Sequence, residues 1–193
     1  MSMVDPQLLV GAGPSLAPER DLAEAPESYA SCDGQLNGRW AMYYHLPQDK
    51  SWSLGSYKLV MGSIDSANKV VALANALSDP IVRYCMLFVM RVGVTPMWED
   101  PKNRTGGAFS FKVANKHVPV VWRELLFAVC GETLMVDPAH NAFVNGITIS
   151  PKKNFCILKL WMSGCNIQDP AAIVPILLLV KQGCSFKKHE AEF

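Results

Sequence analysis

Apolar positions along the chain change their period several times, and those changes mark the elements. Strand-like alternation sets in at Arg39, after a first stretch that shows none. Tyr57-Lys58-Leu59-Val60-Met61 and Tyr84-Cys85-Met86-Leu87-Phe88-Val89-Met90 are rich in β-forming residues and predict strands. Phe109-Ser110-Phe111-Lys112-Val113 alternates strictly, and Phe155 to Trp161 does so more loosely. Three segments interrupt these runs with helical signals. Asp65 or Ser66 caps the first, which runs to about Leu77 and is stopped by Asp79-Pro80. The second runs from about Pro119 to Cys130 and ends at Gly131. Asp169-Pro170 opens the third as N-cap and first helical residue, with Pro175 kinking it or delaying its start. Strands separated by hairpin-sized gaps, with single helices between them, predict an α+β fold. Its core would be an antiparallel sheet with helices on one face.

Residues 1–35 read differently. Prolines at positions 6, 14, 18 and 26 and an acidic cluster from Glu19 to Glu27, without periodicity, predict a disordered N-terminal tail. The domain then spans 36–188, and 189–193 form a short C-terminal tail. Half of the 193 residues are apolar, enough for one core. A net charge of +1 argues against a polybasic nucleic-acid binder driven by counterion release, so recognition has to come from a local site. Cys32, Cys85, Cys130, Cys156, Cys165 and Cys184 form no Cys-x-x-Cys pair and no cluster of metal-ligand spacing. No metal and no cofactor is therefore expected, and reduced thiols fit better than disulfides. Met1 to Gly13 lacks the pattern of a signal peptide, and the apolar run Ala171 to Val180 is too short to span a bilayer. The expectation is a monomer of the cytoplasm, with the nucleus as a further location, and no membrane association.

The candidate chemistry lies at Trp52 and in Pro96-Met97-Trp98-Glu99-Asp100. A cationic purine needs aromatic faces for its π surface and a carboxylate for the donors on its Watson–Crick edge. Indole is the best aromatic partner for a cation, and stacking is worth about 1–3 kcal/mol per base. Trp98-Glu99 supplies one such face and the carboxylate together. With Asn103 and Gly106-Gly107 behind it, this run resembles the signature of the eukaryotic translation initiation factor 4E family of mRNA cap-binding proteins. Arg39-Trp40-Ala41-Met42-Tyr43-Tyr44 is similar to that family's first strand, and Ser51-Trp52 to its first stacking tryptophan. Trp122-Arg123-Glu124-Leu125-Leu126 with Cys130-Gly131-Glu132 resembles its second helix, and Lys159-Leu160-Trp161 a later strand. The matches keep the family's order over about Asn37 to Gly183.

The resemblance implies a curved antiparallel sheet with three helices on the convex face and a cap-binding cleft on the concave face. It implies that Trp52 and Trp98 sandwich 7-methylguanine, that Glu99 accepts from guanine N1 and N2, and that Trp161 contacts the N7-methyl group. For the phosphates the chain departs from the family. Ala108 stands where an arginine follows the Gly-Gly pair, and Ser150-Pro151-Lys152-Lys153 where another is expected. Lys152 and Lys153 are then the leading phosphate ligands, and Lys159 the next, since alternation puts it on the face of Trp161. The convex face binds partners in this family. Here Val71 occupies the place of the helix tryptophan and Arg123 that of a leucine, while Glu124 is retained and Phe127 follows one turn on. A 4G-like scaffold or another 4E-interacting protein is thus expected to dock by something other than the standard helical motif.

No enzyme constellation emerges: there is no Gly-x-Ser-x-Gly elbow, Walker loop, His-Glu-x-x-His helix or Rossmann glycine run. No catalytic residue is expected. The sequence points to binding of the 7-methylguanosine cap of mRNA in translation initiation or its regulation. The rival is an interaction or repressor module of the same fold with little or no cap affinity.

Overall fold

The computed structural model describes residues 34–46 and 48–190. Seven strands form one sheet, β1 (Gln35–His45), β2 (Lys58–Ser66), β3 (Met86–Arg91), β4 (Gly107–Ala114), β5 (Val144–Pro151), β6 (Phe155–Met162) and β7 (Ser185–Lys188). They are ordered β2-β1-β3-β5-β6-β4-β7, and every pair is antiparallel. Four helices accompany them, α1 (Ala67–Ala76), α2 (Asp79–Tyr84), α3 (Pro101–Arg104) and α4 (Val118–Cys130).

Strand alternation divides the side chains between two faces. Trp40, Met42, Leu87, Val89, Phe109, Phe111, Ile147, Ile149, Leu158 and Leu160 point to the face covered by helices. There they pack with Val121, Trp122, Leu125, Leu126 and Val129 of α4. The opposite, concave face carries a smaller cluster built on Phe88, Met90, Val94 and Trp161, with Tyr43, Tyr57, Met86 and Trp98 against it. That second cluster is the floor of the site.

The helices at 66–77 and 119–130 stand where the sequence puts them, but the third does not. Pro170–Ala172 is a single 3-10 turn, capped by Asp169, whose carboxylate accepts from Ala171 N at 2.8 Å. Beyond it Ile173 pairs with Met135, and Val174 N donates to Leu134 O, so extended pairing wins over further helix. Instead Asp79-Pro80, read as a stop, opens α2: proline suits a first helical turn as well as it ends a preceding helix. The strand expected from Tyr84 accordingly starts at Met86. Strands β5 and β7 are additions. The predicted N-terminal tail, with its acidic cluster, lies outside the described residues but for Gly34 and Gln35. His189, assigned to the C-terminal tail, is docked: its N–H donates to Gly106 O at 3.0 Å.

Candidate functional site

Trp52, Trp98, Glu99, Lys159 and Trp161 line one open cavity of about 320 Å³, floored by Met86 and Phe88 and edged by Tyr57, Pro96 and Met97. Three separate segments bring these residues together, and each is held differently.

The segment between β3 and β4 carries Trp98 and Glu99. Asp100 accepts from both the N–H and the hydroxyl of Thr95 at 2.7 Å, and from Lys102 N at 2.8 Å. Burial acts to raise the Asp100 pKa, yet these donors outweigh it and hold the carboxyl below its ordinary value. Fully buried Asn103 donates to Thr95 O at 3.0 Å and Met97 O at 2.7 Å. Asn145 of β5 donates in turn to Asn103 Oδ1 at 2.9 Å and to Lys102 O at 2.8 Å. Two buried amides thereby fix the backbone on either side of Trp98. Gly106 is required where the segment rejoins the sheet: a Cβ there would lie 1.8 Å from Met162 O.

Trp52 sits in the β1–β2 connection, 55% exposed. One face of its indole lies on the buried ring of His45, with centroids 4.4 Å apart and planes 9° from parallel. His45 Nε2 is 2.7 Å from Ser51 O and Nδ1 is 3.0 Å from Leu46 O, so the ring also pins the connection it supports. Tyr57 meets His45 and Phe88 edge-on. Burial, with the negative charge of Glu99 adding to it, pushes the Tyr57 hydroxyl up to about 12, which keeps it a donor.

Trp161 is carried by β6 itself, and its Nε1 donates to Thr148 Oγ1 at 2.8 Å. His189 packs beside it, centroids 4.9 Å apart, and donates through Nδ1 to Asn103 O at 2.8 Å. Burial lowers the His189 pKa; the bond to Asn103 opposes this and the charge of Lys159 adds to it.

Of the predicted phosphate ligands, Lys159 lines this cavity, whereas Lys152 lines a neighbouring groove at the tip of the β5–β6 hairpin. Lys153 is exposed beside it on that tip. On the helix face, Arg123, Glu124 and Phe127 share the exposed side of α4 with Val120, and Val71 is exposed on α1. Among the described residues no cluster of His, Cys, Asp and Glu suits a metal ion. No helix there is long and apolar enough to cross a membrane. Sequence reasoning missed His45, Thr148 and His189, none of which stands in a motif of its own.

A curved open antiparallel sheet, helices on its convex side and a tryptophan-lined cleft on the other, defines a class of cleft-binding α+β proteins. Within it, the sequence profile of the family described as "Eukaryotic initiation factor 4E" matches residues 35–192. The chain belongs to that family. It is 33% identical over 156 residues to eukaryotic translation initiation factor 4E-1 of Schizosaccharomyces pombe, covering 77% of this chain and 66% of that protein. With the initiation factor 4E of Candida glabrata it shares 28% over 136 residues, 68% of this chain and 64% of the relative. The matched stretch thus spans about two thirds of these relatives. Similar solved structures include Ascaris suum eIF4E-3 with m7G cap, TM-score 0.61 at 21% identity, covering 70% of this chain and 76% of that one. Another is schistosome eIF4E complexed with m7GpppG and 4E-BP, TM-score 0.62 at 21% identity, covering 69% and 74%. At that identity they establish the fold.

Proposed function

We propose that this chain binds the 7-methylguanosine cap of mRNA and acts in translation initiation or its regulation, as a binding protein rather than an enzyme. The observation that carries the reading is the convergence of Trp52, Trp98, Glu99, Trp161 and Lys159 on one cavity. A methylated guanine is cationic, and indole faces attract it where plain guanine gains only stacking. Glu99 accepts from the donors of its Watson–Crick edge, Trp161 takes the methyl group, and Lys159 meets the first phosphates. The names of the solved relatives, bound to cap analogues, support the same reading. Intrinsic tryptophan fluorescence titrated with m7GTP and with GTP tests it. Strong quenching by m7GTP and little by GTP is expected; equal quenching overturns it.

A protein partner is proposed for the convex face; that similar structures were solved with 4E-binding proteins supports the existence of such a partner. Val71, Arg123, Glu124 and Phe127 form the proposed contact, through something other than the standard motif. The protein is proposed to act as a monomer in the cytoplasm, with the nucleus as a second location. One observation favours the rival module with little cap affinity: Ala108 faces the cavity side of β4, opposite Trp161, without a cation. The fluorescence titration separates the two readings.

A further inference from the structure

Tyr57 stands at the end of the β1–β2 connection and lines the main cavity, with its ring half-buried. We infer that its hydroxyl is a second reader of the cap guanine, donating to O6 while Glu99 takes the donors at N1 and N2. The inference rests on the cap-binding reading above.

Strand order puts Tyr57 across the cavity from Trp161. Trp161 belongs to β6, two strands from β3, a span of about 10 Å. The Tyr57 ring meets Phe88 of β3 from the other side, that of β1, where it also meets His45. A base that sets its N7-methyl group on Trp161 thus turns its far edge toward Tyr57. In guanine that far edge is the Watson–Crick edge, made of O6 and the N–H groups at N1 and N2. Glu99 is on the same side: it lines this cavity, and its negative charge acts on the Tyr57 hydroxyl.

The chemistry of that edge is mixed. N1 and N2 donate and suit a carboxylate, but O6 accepts and needs a donor. Among the side chains lining the cavity, Trp161 has its Nε1 bonded to Thr148, and Lys159 rises from the same strand as Trp161. Trp52 and Trp98 present ring faces, with their N–H groups in the ring plane. Tyr57 is left, and among the described residues its hydroxyl has no hydrogen-bond partner. Burial, with the charge of Glu99 adding to it, pushes its pKa up to about 12, so the hydroxyl keeps its proton through the neutral range. Edge-on contacts with His45 and Phe88, centroids 5.3 and 5.2 Å away, hold the ring in place before a ligand arrives. A donor and a carboxylate side by side match guanine, whereas adenine presents an amino group where O6 would be.

The test is Tyr57→Phe in the full chain, which keeps the ring and its contacts and removes the hydroxyl. Affinity for m7GTP, read by fluorescence, is expected to fall about five-fold or more, with the urea midpoint unchanged. The C6=O stretch of bound m7GTP, isolated in infrared difference spectra by heavy-oxygen labelling at O6, should move to higher frequency in the variant, because a carbonyl that loses a donor stiffens. Unchanged affinity, or a carbonyl band at one frequency in both proteins, overturns the assignment and leaves the cap reading intact. A fall in affinity with a lowered urea midpoint and an unmoved band shows a packing role and overturns it as well. If the wild type does not bind m7GTP, the cap reading falls and the assignment with it.

Discussion

Asn103 decides where Trp98 stands by holding the backbone that leads into it rather than the indole itself. The Asn103 side chain bonds the carbonyls of Thr95 and Met97, the latter immediately before Trp98, from a position with no solvent exposure. Asn103→Ala is therefore expected to leave two carbonyls and the Asn145 amide short of partners, at a cost of about 1–3 kcal/mol for each buried group left unsatisfied. Urea unfolding measures the loss, and m7GTP affinity should fall with it. Unchanged stability would show that the amide bonds are dispensable.

Trp98→Ala and Trp52→Ala should each remove most of the cap affinity, since one aromatic face does not replace a pair. The loss expected is on the order of 1–3 kcal/mol or more per indole. Titration with m7GTP, following the remaining tryptophans, checks it.

Glu99→Gln keeps the size of the side chain but turns one acceptor into a donor facing guanine N1 and N2. Loss of a charge-assisted pair in the cleft is expected to cost about 2–5 kcal/mol of binding. Near-wild-type affinity would reduce Glu99 to a surface carboxylate.

A pH dependence follows from His189. In the folded chain its pKa lies below the ordinary value, because burial disfavours the charged ring. An imidazole in the unfolded chain takes up its proton near about pH 6.5. Between the two values the unfolded state holds more protons, so stability is retained above the upper one and lost as pH falls through the window. His189→Phe keeps an aromatic ring beside Trp161 and removes the titration. Its urea midpoint should change less than that of wild type between about pH 7.5 and about pH 5.

On the convex face, a helical peptide of the standard 4G kind has to desolvate Arg123 and finds valine at position 71. It is expected to bind weakly to the wild type and more tightly to the Val71→Trp, Arg123→Leu double variant. Calorimetry with one such peptide decides it. Tight wild-type binding without gain in the variant would mean that the usual surface is intact.

Trp98 and Glu99 stood out because one short run pairs an aromatic face with a carboxylate, whereas Trp52 and Trp161 were read through the family resemblance of Ser51-Trp52 and Lys159-Leu160-Trp161. Arg123 and Glu124 were read through the resemblance of their segment to the family's partner-binding helix, and in the structure they share the exposed side of α4 with Phe127. Thr148 was not legible, since its meeting with Trp161 depends on the register of β5 against β6, which no local pattern announces. His189 reaches the site only because β7 adds itself to the edge of β4, a pairing between residues far apart in sequence. His45 ends a strand, and its burial comes from Trp52 folding back over it. Asp79-Pro80 misled for a simpler reason: the dipeptide that stops one helix also starts the next.

The two sides of the cleft are built to unequal stiffness. Trp98 is mounted on a frame bolted to β5 through Asn103 and Asn145, whereas Trp52 rests half in solvent on the His45 ring, with Tyr57 tilted beside it. A ligand thus meets one side of the cleft held by buried amide bonds and another held by ring contacts and the His45 bond to Ser51. Mutations in the frame should act on how long a ligand stays, while changes at His45 should act first on how fast it is caught.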